Sequence, residues 1–127
     1  MPQTHLFEYA VVRVVPKVER EEFLNVGVIL YCRELDFLQV RYSLNEDRLQ
    51  VFCTRLDKEE LLQNLRSFER ICNGSKDAGP IGSLDIAGRF RWLTATRSTI
   101  IQTSKVHPGF CTDPGETLTR LYTQLVL

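Results

Sequence analysis

The stretch FLNVGVILYC, residues 23–32, decides what fold this chain can adopt. It is rich in branched and aromatic side chains and far shorter than the roughly 18 apolar residues that span a bilayer, so it predicts a buried β-strand. Asn25 and Gly27 interrupt the strand and indicate a bulge or a close backbone approach. The even positions predict a face turned to the core: Leu24, Val26, Val28, Leu30 and Cys32.

Two further strands flank this one in the sequence. FEYAVVRVV (7–15) ends at Pro16, and FLQVRYS (37–43) follows after a tight connection. The short links exclude crossovers and favour an antiparallel meander. On the face away from the core we expect a group of polar or amphipathic side chains from the three strands: Arg13, Asn25, Tyr31, Gln39 and Arg41.

Helix signals follow the meander. Capping-box spacing at Ser43 and Glu46 predicts a short helix, and Asp57 opens a second helix that Gly74 ends. The stretch 84–93 fits either a strand or a helix capped by Ser83, and we favour the helix. Asp113 followed by a proline starts the last helix.

One strand comes late in the chain, at STIIQTS (98–104), and KVHPGFCT (105–112) is interpreted as a turn. The element order is therefore β-β-β-α-α-(α)-β-α. It predicts a single α+β domain over 1–127, with an antiparallel sheet of about four strands and helices packed mainly on one face.

Composition and net charge disfavour some classes of function. The chain has 127 residues, with Lys+Arg and Asp+Glu both 16 and a net charge of zero. This balance disfavours a general attraction to nucleic acid or to anionic membranes. The N-terminus lacks a signal-peptide pattern and the four cysteines lack a C-x-x-C pair, so we expect a cytoplasmic protein with reduced thiols, no metal site and no cofactor.

The segment TRSTIIQTSKVH (96–107) is the leading candidate site, because two isoleucines stand among many polar groups. Its arginine is suited to a carboxylate or phosphate, and its histidine to titration near neutrality. The candidate binding residues in and beside it are Trp92, Arg97, Ser98, Thr99, Gln102, Ser104 and His107. Arg13, Asn25 and Arg41 are expected to extend this surface. The alternative interpretation is an internal network that only satisfies buried polar groups, with Arg13 in a structural ion pair.

Two long stretches carry a family resemblance: YAVVRVVPKVEREEFLNVGVILYC (9–32) and RFRWLTATRSTIIQTSKVHPGFCTDPGETLTRLYTQLV (89–126). They resemble the small bacterial proteins of the "domain of unknown function 3037" family. The resemblance implies no known activity. It implies a protein partner, because such genes lie beside genes for HipA-like kinase-fold proteins. The family pattern has Gly-Glu where this chain has Glu21 and Glu22.

Three functional hypotheses follow. The first is a non-catalytic interaction or regulatory module that works with a protein partner, for which the resemblance suggests a kinase-fold protein. The second is a small enzyme or anion binder centred on Arg97, Ser98, Gln102 and His107, although no catalytic motif is present. The third and weaker one is single-stranded nucleic-acid binding near Trp92. A free sheet edge also allows a homo-oligomer.

Overall fold

The computed structural model describes residues 3–16, 22–52, 57–95 and 99–127. Within these ranges the chain forms one antiparallel sheet and four α-helices. The strands are β1 (His5–Val14), β2 (Leu24–Cys32), β3 (Phe37–Tyr42), β4 (Ile101–Thr103) and β5 (His107–Cys111). The helices are α1 (Glu46–Phe52), α2 (Lys58–Asn73), α3 (Ile86–Leu93) and α4 (Pro114–Leu125). The expected α+β class is confirmed.

The sheet order is β3-β2-β1-β4, and β5 also pairs with β1. Strands β4 and β5 therefore lie end to end along one side of β1: β4 pairs with Val12–Val14 and β5 with His5–Tyr9. The prediction of a turn over 105–112 is therefore wrong: His107–Cys111 forms a strand that continues the same edge after a short interruption. Pro108 is compatible with a strand that is paired on one side only.

A β-bulge in β2 is the irregularity that Asn25 and Gly27 indicated. The pairing register between β1 and β2 shifts where Val12 lies opposite Gly27 and Arg13 opposite Asn25. A Cβ atom on Gly27 would lie 2.6 Å from the carbonyl oxygen of Arg41, so glycine is required by close backbone approach. Because the bulge adds one residue to β2, even-numbered residues before it and after it point to opposite faces of the sheet.

The prediction that the even positions of β2 share one face is therefore wrong. Val26 belongs to the core cluster on the face that α2 and α3 cover, whereas Val28 and Leu30 belong to the cluster on the face that α4 covers. Tyr31 also leaves the predicted polar face, because its ring lies in the core 5.1 Å from the ring of Phe90.

Both faces of the sheet are covered. Three helices pack on one face through Leu49 of α1, Leu61 and Leu65 of α2, and Phe90 of α3, as the expected one-sided packing requires. Helix α4 covers the opposite face through a smaller cluster that includes Leu118. The sheet thus lies between two helical layers, and its β4–β5 edge remains at the side of the domain.

The helices are capped by aspartate or asparagine residues, and the serines expected to cap α1 and α3 do not cap them. Asp57 and Asp113 cap α2 and α4 as predicted. Asn45, and not Ser43, accepts the N–H of Arg48 in the first turn of α1, and Asp85, and not Ser83, caps α3. Side-chain oxygens on one residue immediately before the helix satisfy these N–H groups. None of the helices in the described ranges is long and apolar enough to cross a bilayer.

Candidate functional site

The β4 edge of the sheet directs backbone hydrogen-bonding groups outward. The N–H of Val15 donates to the carbonyl of Ile100 at 2.7 Å, and the N–H of Ser104 donates to the carbonyl of Val11 at 2.8 Å. Because these groups alternate along antiparallel strands, Gln102 also pairs inward with β1. The residues between them, Ile101 and Thr103, therefore point their N–H and C=O groups away from the sheet.

Only one of these outward groups is bonded to another described residue. The hydroxyl of Thr99 donates to the carbonyl of Ile101 at 2.6 Å. The N–H of Ile101 and both backbone groups of Thr103 have no partner among the described residues, which leaves two donors and one acceptor on this edge. An open strand edge of this kind is a template for a further strand.

A cleft of about 460 Å³ lies beside this edge. We call it the β4 cleft and define it by its lining residues, which are Glu60, Asn64, Ser67, Phe68, Ile71, Trp92, Leu93, Ala95 and Thr99–Thr103. The first five come from one face of α2, since their spacing matches the helical repeat. Two walls therefore face each other, a helix on one side and a strand edge on the other.

The cleft extends to the free edge of β4. Gln102 lies opposite Arg13 in the sheet register, so its side chain starts on the face away from α2. It nevertheless lines the cleft, and its amide nitrogen donates to the carbonyl of Thr99 at 2.9 Å. A molecule in the cleft therefore has access to the outward groups of β4.

The described lining of the cleft is apolar at its base and acidic at its rim. Phe68 and Ile71 are half-buried, and Leu93 is buried. Glu60 is exposed and supplies a carboxylate, whereas none of the described lining residues is basic. The basic residue nearest to Glu60 in the sequence, Lys58, forms an ion pair with Glu46.

Three predicted site residues do meet at the cleft: Trp92, Thr99 and Gln102. Arg97 and Ser98 lie outside the described residues. His107 is not among the lining residues, because it begins β5 and its ring lies 5.4 Å from the ring of Tyr9.

Ser104 has a structural role in the interruption between β4 and β5. Its hydroxyl oxygen accepts the backbone N–H of Val11 at 2.8 Å, and its own O–H donates to the carbonyl of Lys105 at 2.9 Å. Its side chain thus replaces a backbone acceptor that the sheet lacks at this point. Because Ser104 and Val11 are both buried, this hydroxyl belongs to the internal network that the sequence left open.

Arg13, Asn25 and Arg41 lie on the opposite face, against α4. The Nε of Arg13 donates to Asn25 at 3.3 Å, and the Asn25 amide donates to the carbonyl of Leu125 at 3.2 Å. Arg41 donates to the Thr119 hydroxyl at 2.9 Å. These side chains attach α4 to the sheet and do not extend the β4 cleft.

Two contacts of Arg13 lie within the described residues, whereas the proposed partner Glu19 lies outside them. Its guanidinium carbon lies 3.8 Å from the centre of the Phe23 ring and its Nε binds Asn25. Partial burial lowers the pKa of Arg13 from its ordinary value.

Two of the basic residues near Trp92, Arg89 and Arg91, are engaged within the fold. Arg91 makes two hydrogen bonds of 2.8 Å to the carboxylate of Glu8. Arg89 donates to the carbonyl of Leu84 at 2.6 Å. These contacts do not favour the nucleic-acid hypothesis, which needs free cations beside a stacking ring.

Two of the cysteines in the described part of the chain, Cys72 and Cys111, lack the lowered pKa of a nucleophile. Burial raises the pKa of the Cys72 thiol to about 12, and burial is also the main cause that raises the pKa of Cys111. An activated thiol requires the opposite shift. In the described part of the chain there is also no group of three or more His, Cys, Asp or Glu residues that would hold a metal ion.

The α2 wall was missed in the sequence. Glu60, Asn64 and Ser67 follow a helical repeat beside the buried seam of Leu61 and Leu65. The repeat is visible in the sequence, but it is also the ordinary pattern of a solvated helix face. Only the position of β4 opposite this face shows that it borders a cleft.

These features define an α+β domain with an open strand edge beside a helix-walled cleft. The chain belongs to the family described as "Protein of unknown function (DUF3037)", whose model matches residues 9–126. The resemblance of 9–32 and 89–126 to that family is thereby confirmed. Neither a curated protein nor a solved structure gives a significant match to the chain.

Proposed function

We propose that this protein is a non-catalytic interaction module that binds an extended segment of a partner protein in the β4 cleft. The observation that carries the proposal is the position of the outward groups of Ile101 and Thr103 at the margin of a cleft walled by α2. In this binding mode the segment adds a strand to the sheet, backbone hydrogen bonds supply affinity, and the side-chain contacts supply specificity.

The dimensions of the site suit such a segment. Three residues of β4 extend about 10 Å, so a partner strand pairs over roughly three to five residues. Alternate side chains of the added strand point toward α2, where Phe68 and Ile71 offer an apolar surface. The volume of about 460 Å³ lies in the range of sites that enclose a ligand of this size.

The alternative of an anion binder receives less support from the described residues. The cleft carries the carboxylate of Glu60, which repels an anion. Gln102 already donates to Thr99, and His107 lies on another strand. The raised thiol pKa values likewise support a non-catalytic role.

We further propose that the protein is bacterial and cytoplasmic and that its partner is a HipA-like kinase-fold protein, as the family resemblance implies. The three cysteines of the described chain are all unpaired, as is usual in a reducing compartment. A kinase-fold partner is therefore the first candidate to test.

Substitution of Asn64 by tryptophan tests the proposal. Asn64 is exposed on α2 and lines the cleft, so the indole fills the cleft without disturbing the core. Gln63→Trp is the matched control, because Gln63 is exposed on the same helix and is not a lining residue. The tagged wild-type chain and Gln63→Trp are expected to co-purify the kinase-fold neighbour, whereas Asn64→Trp is expected to lose it.

The captured partner must then be mapped. A photo-reactive benzoylphenylalanine at position 64 is expected to cross-link one short segment of the partner, and that segment as a synthetic peptide is expected to bind the wild type. Equal recovery by Asn64→Trp, or a peptide that binds Asn64→Trp as tightly as the wild type, contradicts the proposed function.

A further inference from the structure

We infer that the segment bound in the β4 cleft carries a lysine or arginine whose charge is held by Glu60. This inference rests on the proposed function and specifies the chemistry of the partner. It derives from the charge of the cleft and not from the geometry of the strand edge.

Glu60 is the charged group of the described cleft wall. It stands in the first turn of α2, and its carboxylate has no ion-pair partner among the described residues. Lys58 is occupied by Glu46. Arg70 approaches Asp77 at 3.8 Å and donates to Ser67 at 3.0 Å, so it too is engaged away from Glu60.

The capping requirement of α2 is met without the side chain of Glu60. The carboxylate of Asp57 accepts the N–H groups of Glu59 and Glu60 at 3.0 Å and 3.3 Å. The cap of α2 therefore does not use the Glu60 carboxylate, which within the described part of the chain is left to meet a cation that approaches from the cleft. Glu59 shares the same helical turn and the same exposure but does not line the cleft.

A cationic side chain complements the cleft in two ways. Its aliphatic stem packs on the apolar wall formed by Phe68 and Ile71, and its charged end stays in water beside the carboxylate. An acidic segment meets repulsion from Glu60 and finds no base among the described lining residues. Charge thus discriminates between partner segments that all satisfy the same backbone edge.

A peptide selection tests this inference with a defined probe. A phage library of random 12-residue peptides is selected against the full-length wild type, Glu60→Gln and Glu59→Gln. The wild type and Glu59→Gln are expected to enrich a common sequence with lysine or arginine at one fixed position, and Glu60→Gln is expected to lose that preference. The selected peptide is expected to bind Glu60→Gln about 3-fold more weakly, and a peptide with norleucine in place of the cation is expected to bind both proteins equally.

Two results overturn the inference and separate it from the proposed function. Peptides that bind the wild type more tightly than Asn64→Trp but show no preference for a cation contradict the role of Glu60 and not the β4 cleft. Peptides whose cation preference is unchanged in Glu60→Gln do the same. Failure to enrich any peptide, or enrichment of peptides that bind Asn64→Trp as well as the wild type, contradicts the β4 cleft as a segment-binding site.

Discussion

Replacement of Ser104 by alanine is the sharpest test of how the sheet edge is built. The hydroxyl of Ser104 accepts the N–H of Val11 at 2.8 Å, and both residues are less than one-tenth exposed. Alanine leaves that N–H buried without an acceptor. The free energy of unfolding is expected to fall by about 1–3 kcal/mol, which is the cost of an unsatisfied buried donor.

Two measurements check this prediction. Urea denaturation followed by circular dichroism gives the loss of stability, with Ser83→Ala as a control because Ser83 is exposed at the end of a short 3-10 helix. Hydrogen exchange by NMR gives the local effect, and the Val11 amide is expected to exchange faster by a larger factor than the amides of Val12 and Val14. A loss below about 0.5 kcal/mol, together with an unchanged Val11 amide, would refute the structural role of Ser104.

Three other substitutions test the bulge, a buried thiol and a helix cap. Gly27→Ala is expected to cost about 2 kcal/mol, because its Cβ would lie 2.6 Å from a backbone oxygen; an unchanged urea midpoint would contradict the close approach. The pKa of Cys72 is about 12 in the folded chain and near 9 when exposed, so the neutral thiol's contribution is complete below pH 9 and is lost as pH rises toward 12. The wild type should lose roughly 1.4 kcal/mol more per pH unit above pH 9 than Cys72→Ala, and parallel pH profiles of the two proteins would argue against this burial. Asp113→Ala should remove the acceptor of two N–H groups of α4 and cost about 1 kcal/mol, while Asp113→Asn should retain most of the stability; equal loss in both variants would exclude capping as the cause.

The sequence was most informative where one residue determines the local backbone. Asp57 and Asp113 predicted helix starts, and Gly74 adopts a φ of 66° at the end of α2, as the helix-stop signal requires. Gly27 likewise predicted a bulge or a close approach, and the structure has both.

Prediction failed where a local feature acts at a distance. The alternation of β2 was interpreted as one continuous face, but the bulge places Val26 and Val28 on opposite sides of the sheet. Pro108 and Gly109 suggested a turn, because their propensity does not reveal that β1 offers a paired edge. For the same reason, only part of the candidate site was predicted. Thr99 and Gln102 were predicted and line the cleft, whereas the α2 wall depends on which helix face meets β4.

Amide hydrogen exchange at β4 tests the central claim most directly. It requires ¹⁵N-labelled protein with and without the partner segment mapped by cross-linking, or with a library-selected peptide. If the segment adds a strand, exchange at Thr103 and Ile101 slows by at least about 10-fold on binding, because their outward N–H groups gain acceptors, while exchange at Gln102, which already pairs inward, changes less. A complex in which Thr103 and Ile101 exchange at their free rates would contradict strand addition in the β4 cleft.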